Sequence, residues 1–218
     1  MRPLFLALAL ILAGTPDAAG NYTGRTVPSF LSQTTSWDSF NRLVEVSETN
    51  GVEVNSGDGS NWTTVYDGLG RRVQTTWQPT VSGSASGTPT TITYYYDPQA
   101  GYLELGHNYG GRTWNVYGPD RSGIYGGAGG IGGLDAVVNS SDGSGWGSIN
   151  NSFGDAVGTS SGGGGGTAWE SALGGYGEMP GSWVNLTFQA EWRGHYEDPT
   201  GLYYMGSRYY VFRIFLSS

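Results

Sequence analysis

The chain contains no cysteine. That absence excludes disulfides, thiolate nucleophiles and cysteine metal sites together. Lysine is missing too: all ten positive charges are arginine, set against 18 acidic residues and a formal net charge of −8. No basic patch is available to neutralise phosphates, so nucleic acid is not an expected partner. The acidity itself reads as a solubility feature. There are only two histidines, His107 and His195, and no cluster of donors with metal-ligand spacing accompanies them. Neither a metal nor a cofactor is expected.

What is abundant is glycine, at 39 residues, together with 15 Tyr and 8 Trp. Glycine at this level disfavours helices, whereas Tyr, Trp, Thr and Val favour strands. The expected fold is all-β with long Gly/Ser loops. At the N-terminus Arg2 precedes an apolar run from Leu4 to Ala13, then Gly14, Pro16 and the small residues Ala18-Ala19-Gly20. Residues 1–20 read as a secretory signal, cut after Ala19 or Gly20. The run is too short to span a bilayer, so no membrane span is expected once the signal is removed. A secreted or envelope location follows.

Residues 21–36 are polar and read as an irregular lead-in. Beyond them the chain repeats itself. Trp37-Asp38-x-x-Asn41-Arg42 and Tyr66-Asp67-x-x-Gly70-Arg71 share one layout at a separation of 29 residues, and Tyr96-Asp97 follows 30 residues after Tyr66. Asp starts a turn, Gly or Asn accepts a left-handed conformation, and the residues after Arg begin a strand. A unit of this length cannot bury its apolar face alone, so stacked neighbours must close the core. Thr90 to Tyr96 is the strongest strand signal, with Tyr102–Leu105, Trp114–Tyr117, Asp135–Val138 and Trp183–Phe188 also strand-like. Asn50-Gly51 signals a hairpin returning through Val52–Val54. Val81–Pro89, Asn139–Gly147 and Gly158–Thr167 read as loops.

Several motifs invite a chemical reading. Gly127-Ala-Gly129-Gly130-Ile-Gly132 matches a dinucleotide fingerprint, but no helix signal follows it, so close backbone packing is the favoured use. Gly158-Thr-Ser160-Ser-Gly162 matches a nucleophile elbow without the strand-to-helix context. The sequons at Asn21, Asn61, Asn139, Asn150 and Asn185 arise readily in so polar a chain. The aromatic residues suit cross-strand pairs, or a stacking platform for sugars. Asp198 sits in Asp198-Pro199-Thr200-Gly201, a turn sequence. Glu197, Arg193 or Arg208 could perturb its carboxyl.

Tyr66-Asp67-Gly-Leu-Gly70-Arg71 resembles the YD repeats of the Rhs family. Gly118-Pro-Asp120 followed by Ala128–Leu134 looks like that family's pre-terminal segment. Arg193-Gly194-His-Tyr-Glu-Asp198-Pro-Thr-Gly201-Leu202-Tyr203-Tyr204-Met-Gly-Ser-Arg208-Tyr209-Tyr210 is similar to the Rhs repeat-associated core. The resemblance covers roughly Trp37 to Ser218. It divides the chain into a YD-repeat β-region, 37–117, and an Rhs-associated core region, 118–218.

The resemblance implies a curled antiparallel sheet, part of a β-shell of the polymorphic-toxin type, with Tyr66, Asp67, Gly70, Arg71, Tyr96 and Asp97 as repeat-motif residues. It implies association with other Rhs-repeat segments or cell-surface proteins, and a structural shell or plug role without a toxin domain. The alternatives are an aromatic-rich carbohydrate-binding or adhesive module, and residual self-cleavage using Asp198. The family pattern continues with Asp-Pro after the paired tyrosines; here Val211-Phe212 follows, so the self-cleavage motif is incomplete and no enzyme activity is expected.

Overall fold

The computed structural model describes residues 16–27, 31–50, 57–161, 168–169, 190–196, 198, 200, 202–206 and 208–211. These residues form strands and turns, with no helix among them. The strands are β1 (Gly24–Val27), β2 (Leu31–Trp37), β3 (Leu43–Asn50), β4 (Gly59–Tyr66), β5 (Arg72–Val81), β6 (Ser84–Ala85), β7 (Thr90–Tyr96), β8 (Glu104–Asn108) and β9 (Arg112–Tyr117). They continue with β10 (Leu134–Asn139), β11 (Gly145–Asn150), β12 (Ala156–Ser161), β13 (Ala168–Trp169), β14 (Ala190–Trp192), β15 (His195–Tyr196), β16 (Leu202–Met205) and β17 (Arg208–Val211). A large sheet takes the order β1-β2-β3-β4-β5-β7-β8-β9-β10-β11-β12-β13, with β6 paired to β5 beside this path. The β1–β2, β2–β3, β7–β8 and β9–β10 pairings are antiparallel, and the sheet does not close into a barrel. β14–β15 and β16–β17 are separate two-stranded sheets.

The chain divides into two compact units, 1–63 with 77–89 and 213–218, and 64–76 with 90–212. In the first, Val46 of β3 faces Trp62 of β4 across the ladder, and Leu43 joins them in the core. A polar chain crosses β1 to β3 there: Arg25 Nε donates to Gln33 Oε1, and Gln33 Nε2 donates to Glu48 Oε2 at 2.6 Å. In the second unit Ile92, Tyr94, Leu103, Leu134, Ala156 and the Leu202–Tyr204 stretch are buried.

Three expectations change. The lead-in at 21–36 is not irregular: it carries β1 and most of β2. The Ser, Gln and Thr residues from Ser32 to Ser36 supplied too little hydrophobic contrast to reveal a strand there, while the backbone ladder to β3 supplies the order. The Gly/Ser segments also contribute strands. β11 and β12 pair from Trp146–Ser161 to Asn150–Ala156, and even the Val81–Pro89 loop contains β6. Where Gly147 lies opposite Ser160, an added Cβ would come 2.8 Å from Ser160 Oγ, so glycine here permits close strand approach. The strand expected at Tyr102–Leu105 begins at Glu104 instead. The Asn50-Gly51 hairpin return and the Trp183–Phe188 strand lie outside the described residues.

Candidate functional site

One turn recurs four times among the described residues. It runs Asp17–Asn21, Asp38–Arg42, Asp67–Arg71 and Asn151–Asp155. In each, the first residue's N–H donates to the fifth residue's carbonyl, and the fourth residue's N–H donates back to the first carbonyl. The fourth residue has a positive φ: Gly20, Asn41, Gly70 and Gly154. The first side chain's Oδ1 accepts from the N–H groups two and four residues on. In two copies Oδ2 takes a guanidinium, with Arg42 Nε and Arg71 Nε each at 2.7 Å. Burial works against the charge of Asp38 and Asp67, but the arginine and the turn N–H groups outweigh it and hold both carboxyls below their ordinary range. Asp97 makes a longer version closed by Leu103, and its Oδ2 accepts from Tyr125 Oη at 3.0 Å.

Asp198 makes the first of these backbone bonds, its N–H donating to the Leu202 carbonyl at 2.8 Å. Its side chain does something different. Asp198 Oδ2 lies 2.5 Å from Arg72 Nη1, and both side chains are 1% exposed. The Arg72 guanidinium carbon sits 4.1 Å from the Tyr94 ring centre, 4.4 Å from Tyr204 and 5.9 Å from Tyr209. The Arg72 N–H donates to Tyr204 Oη at 3.1 Å, and Thr75 Oγ1 is 3.0 Å from Tyr94 Oη. Tyr209 packs on its cross-strand partner Tyr204 and hydrogen-bonds the Tyr66 side chain.

Burial pushes the phenols of Tyr94 and Tyr209 well up and that of Tyr204 to about 12. The rings therefore stay neutral and turn their negative faces to the cation. The cage offsets part of the desolvation that a buried ion pair incurs.

The cage brings together Tyr66, Asp198, Tyr204 and Tyr209 from the expected set. Leu202 and Tyr203 are buried beside it, whereas Arg208 and Tyr210 are exposed. Arg71 pairs with Asp67 in its local turn, and its guanidinium also donates to the Gly101 carbonyl at 3.3 Å and lies 5.3 Å from the Tyr96 ring. Arg193 and Gly194 form the positive-φ tip of the β14–β15 hairpin. Arg193 Nη1 donates to the Phe153 carbonyl at 2.6 Å, and its N–H donates to the buried Asp155. Gly201 lies outside the described residues. Sequence reasoning missed Arg72, Thr75 and Asp155. An arginine at an inward strand position beside Val73 was the available signal for the first.

Chemically, a carboxylate bonded to a guanidinium presents acceptors only. A proton-sharing dyad needs a second carboxylate beside it. Glu104 is the other acid whose field reaches Tyr94, but its Oε1 lies 3.3 Å from His107 Nδ1. His195 is held below its ordinary range by burial, against the opposing field of Glu104. Nor does the dinucleotide-like loop offer open donors throughout: Asp120 Oδ2 accepts the N–H groups of Ala128 and Gly130. An internal acid occupies part of the place a phosphate would take.

No protein-family model matches the chain, and no curated protein matches it. Solved structures do. A TcdB2–TccC3 crystal structure is similar at a TM-score of 0.60 and 19% identity, over 90% of this chain and 9% of that one. The Photorhabdus luminescens Tc holotoxin pore with a substituted TccC3 gives 0.60 and 19%, over 89% and 9%. TcdB2–TccC3-TEV gives 0.59 and 20%, over 89% and 9%. The likeness is one of fold, and the chain spans only a small part of those proteins.

Proposed function

We propose that the chain is a structural core module of the Rhs type, a piece of shell or plug that associates with other repeat segments and performs no catalysis. The observation that carries this reading is the caged Arg72–Asp198 pair, which ties the core motif to the strand following the Asp67 turn. The fold likeness to TccC3-containing complexes supports the shell role. Among the described residues the strand order ends at β1 and β13, and such edges supply the means of association. Light scattering of the purified chain tests it: concentration-dependent association is expected, and a monodisperse, stably folded monomer would overturn it. Intact mass separates this role from self-cleavage. Wild type and Asp198→Asn should have the same uncut mass; a cut that only wild type shows would install the catalytic reading instead.

Among the described residues no helix is long and apolar enough to cross a membrane. We propose secretion through the N-terminal leader, with one refinement. The cuts expected after Ala19 or Gly20 fall inside the Asp17 turn. A processed chain that keeps this turn must start at or before Asp17, which N-terminal sequencing of exported protein reads directly.

A second reading has its own observation. Tyr95 and Trp114 lie 5.4 Å apart, with the Arg112 guanidinium 5.6 and 5.8 Å from the two rings. This half-exposed cluster would suit stacking against a sugar. Glycan-array binding lost in Trp114→Ala supports it, and an array without signal removes it.

A further inference from the structure

We infer that the β14–β17 segment is a detachable peptide ligand of the large sheet, hooked by Asp198 into a receptor made by Arg72, Tyr94 and Thr75. A chain cut between the sheet and this segment would keep its C-terminal piece by non-covalent docking.

The topology separates ligand from receptor. β14–β15 and β16–β17 form their own two-stranded sheets, and among the described residues they share no ladder with the 13-stranded sheet. Side chains make the observed attachments at two places. At the first, Asp198 reaches the Arg72 guanidinium, Tyr204 Oη accepts the Arg72 N–H, and Tyr209 binds Tyr66. At the second, Arg193 at the β14–β15 tip grips Asp155 and the Phe153 carbonyl.

The two hooks carry opposite charge, and each enters a site of the other sign. That arrangement fixes both register and direction of docking. Between them Leu202, Tyr203 and Tyr204 supply buried surface. Tyrosine and arginine are also the residues that dominate binding energy at interfaces between separate chains.

The receptor is preorganised. Arg72 directly follows the Asp67–Arg71 turn, whose wiring is closed without help from the ligand. Tyr94 is positioned by Thr75 on the neighbouring strand. A site built before its ligand arrives loses less entropy on binding.

The test inserts a protease site between Gly174 and Gly175 of the full chain, which leaves β13 with the sheet. After cleavage the two pieces are followed by size exclusion, and exchange is measured against a labelled synthetic peptide of residues 190–211. Co-elution is expected for wild type. Asp198→Asn keeps the shape but removes the charge, and should weaken retention by about 30-fold or more. Arg193→Gln should weaken it less. Tyr209→Phe removes one hydroxyl and should speed exchange only a few-fold, which keeps the test decisive if Asp198→Asn fails to fold before cutting.

Separation of the wild-type pieces would overturn the proposal. So would retention in all three variants equal to wild type. The docking requires no other repeat segment, so its failure would leave association through the sheet edges standing.

Discussion

Arg71 and Arg72 are neighbours in sequence and opposites in use. Arg71 pairs with Asp67 four residues away, at 18% and 22% side-chain exposure. Arg72 pairs with Asp198, 126 residues away, at 1% and 1%. Both aspartates donate their N–H to the carbonyl four residues on. The carboxylate that serves its own turn can be supplemented by water; the one that leaves its turn for the core cannot. Local wiring therefore shapes the strand connections, while the long-range pair decides which distant segment belongs against which strand.

Breaking the long-range pair should have the largest effect. Arg72→Met leaves Asp198 buried without its cation, a loss of about 3–5 kcal/mol. Arg72→Lys should recover little, because a point charge neither forks to the carboxylate nor lies flat between Tyr94 and Tyr204. The double variant Arg72→Met with Asp198→Asn should be more stable than the sum of the single losses predicts. Urea unfolding of the four chains measures this; strictly additive losses would show that the pair is not coupled.

How much of this the sequence disclosed follows the same division. The Asp38 and Asp67 turns were legible because their backbone bonds and Asp–Arg pairs lie within five residues, and Asn41 and Gly70 mark the left-handed position. The Asp17 turn has the same wiring but sat within residues read as a leader. The Asn151 turn lacks both the Asp and the Arg, and Gly154 alone keeps the register. The all-β fold was readable from composition. The cage was not: Tyr204 and Tyr209 were noted as aromatic pairs, but no local pattern connects them to Arg72. The glycine-rich strands stayed hidden because their order comes from ladder pairing rather than side-chain alternation.

Asp120 is an intermediate case, buried yet bonded to neighbours within ten residues. Gly130→Ala would disturb its loop: the new Cβ would lie 2.4 Å from Leu103 Cδ1, at a φ of +84°. Overpacking and backbone strain together should cost about 1–3 kcal/mol. A thermal melt unchanged from wild type would mean that Leu103 yields freely.

The same loop carries a pH signature. Burial would raise the Asp120 carboxyl, but Ser122 and the N–H groups of Ala128 and Gly130 prevail and bring it to about 2. A folded-state value below the unfolded one stabilises the protein above the unfolded value, and that contribution is lost as pH falls from about 4 towards 2. Wild type should lose more urea resistance than Asp120→Asn between pH 5 and pH 2. Parallel curves would place the acid sensitivity elsewhere.

The smallest effect should come from the local turn. Asp67→Ala removes the acceptor of the Leu69 and Arg71 N–H groups and the partner of the Arg71 guanidinium, but all three donors are close enough to solvent to be rehydrated. The expected loss is about 1 kcal/mol. Raising the salt concentration should shrink the ionic part of it, since a partly exposed pair is screened, while the effect of Arg72→Met at the buried pair should change little. If Asp67→Ala instead matched Arg72→Met, the turn would be setting the position of Arg72, and the two arginines would have to be treated as one coupled device. The double variant Asp67→Ala with Arg72→Met decides between them: additive losses keep the local and long-range pairs separate, and a combined loss no greater than that of Arg72→Met alone merges them.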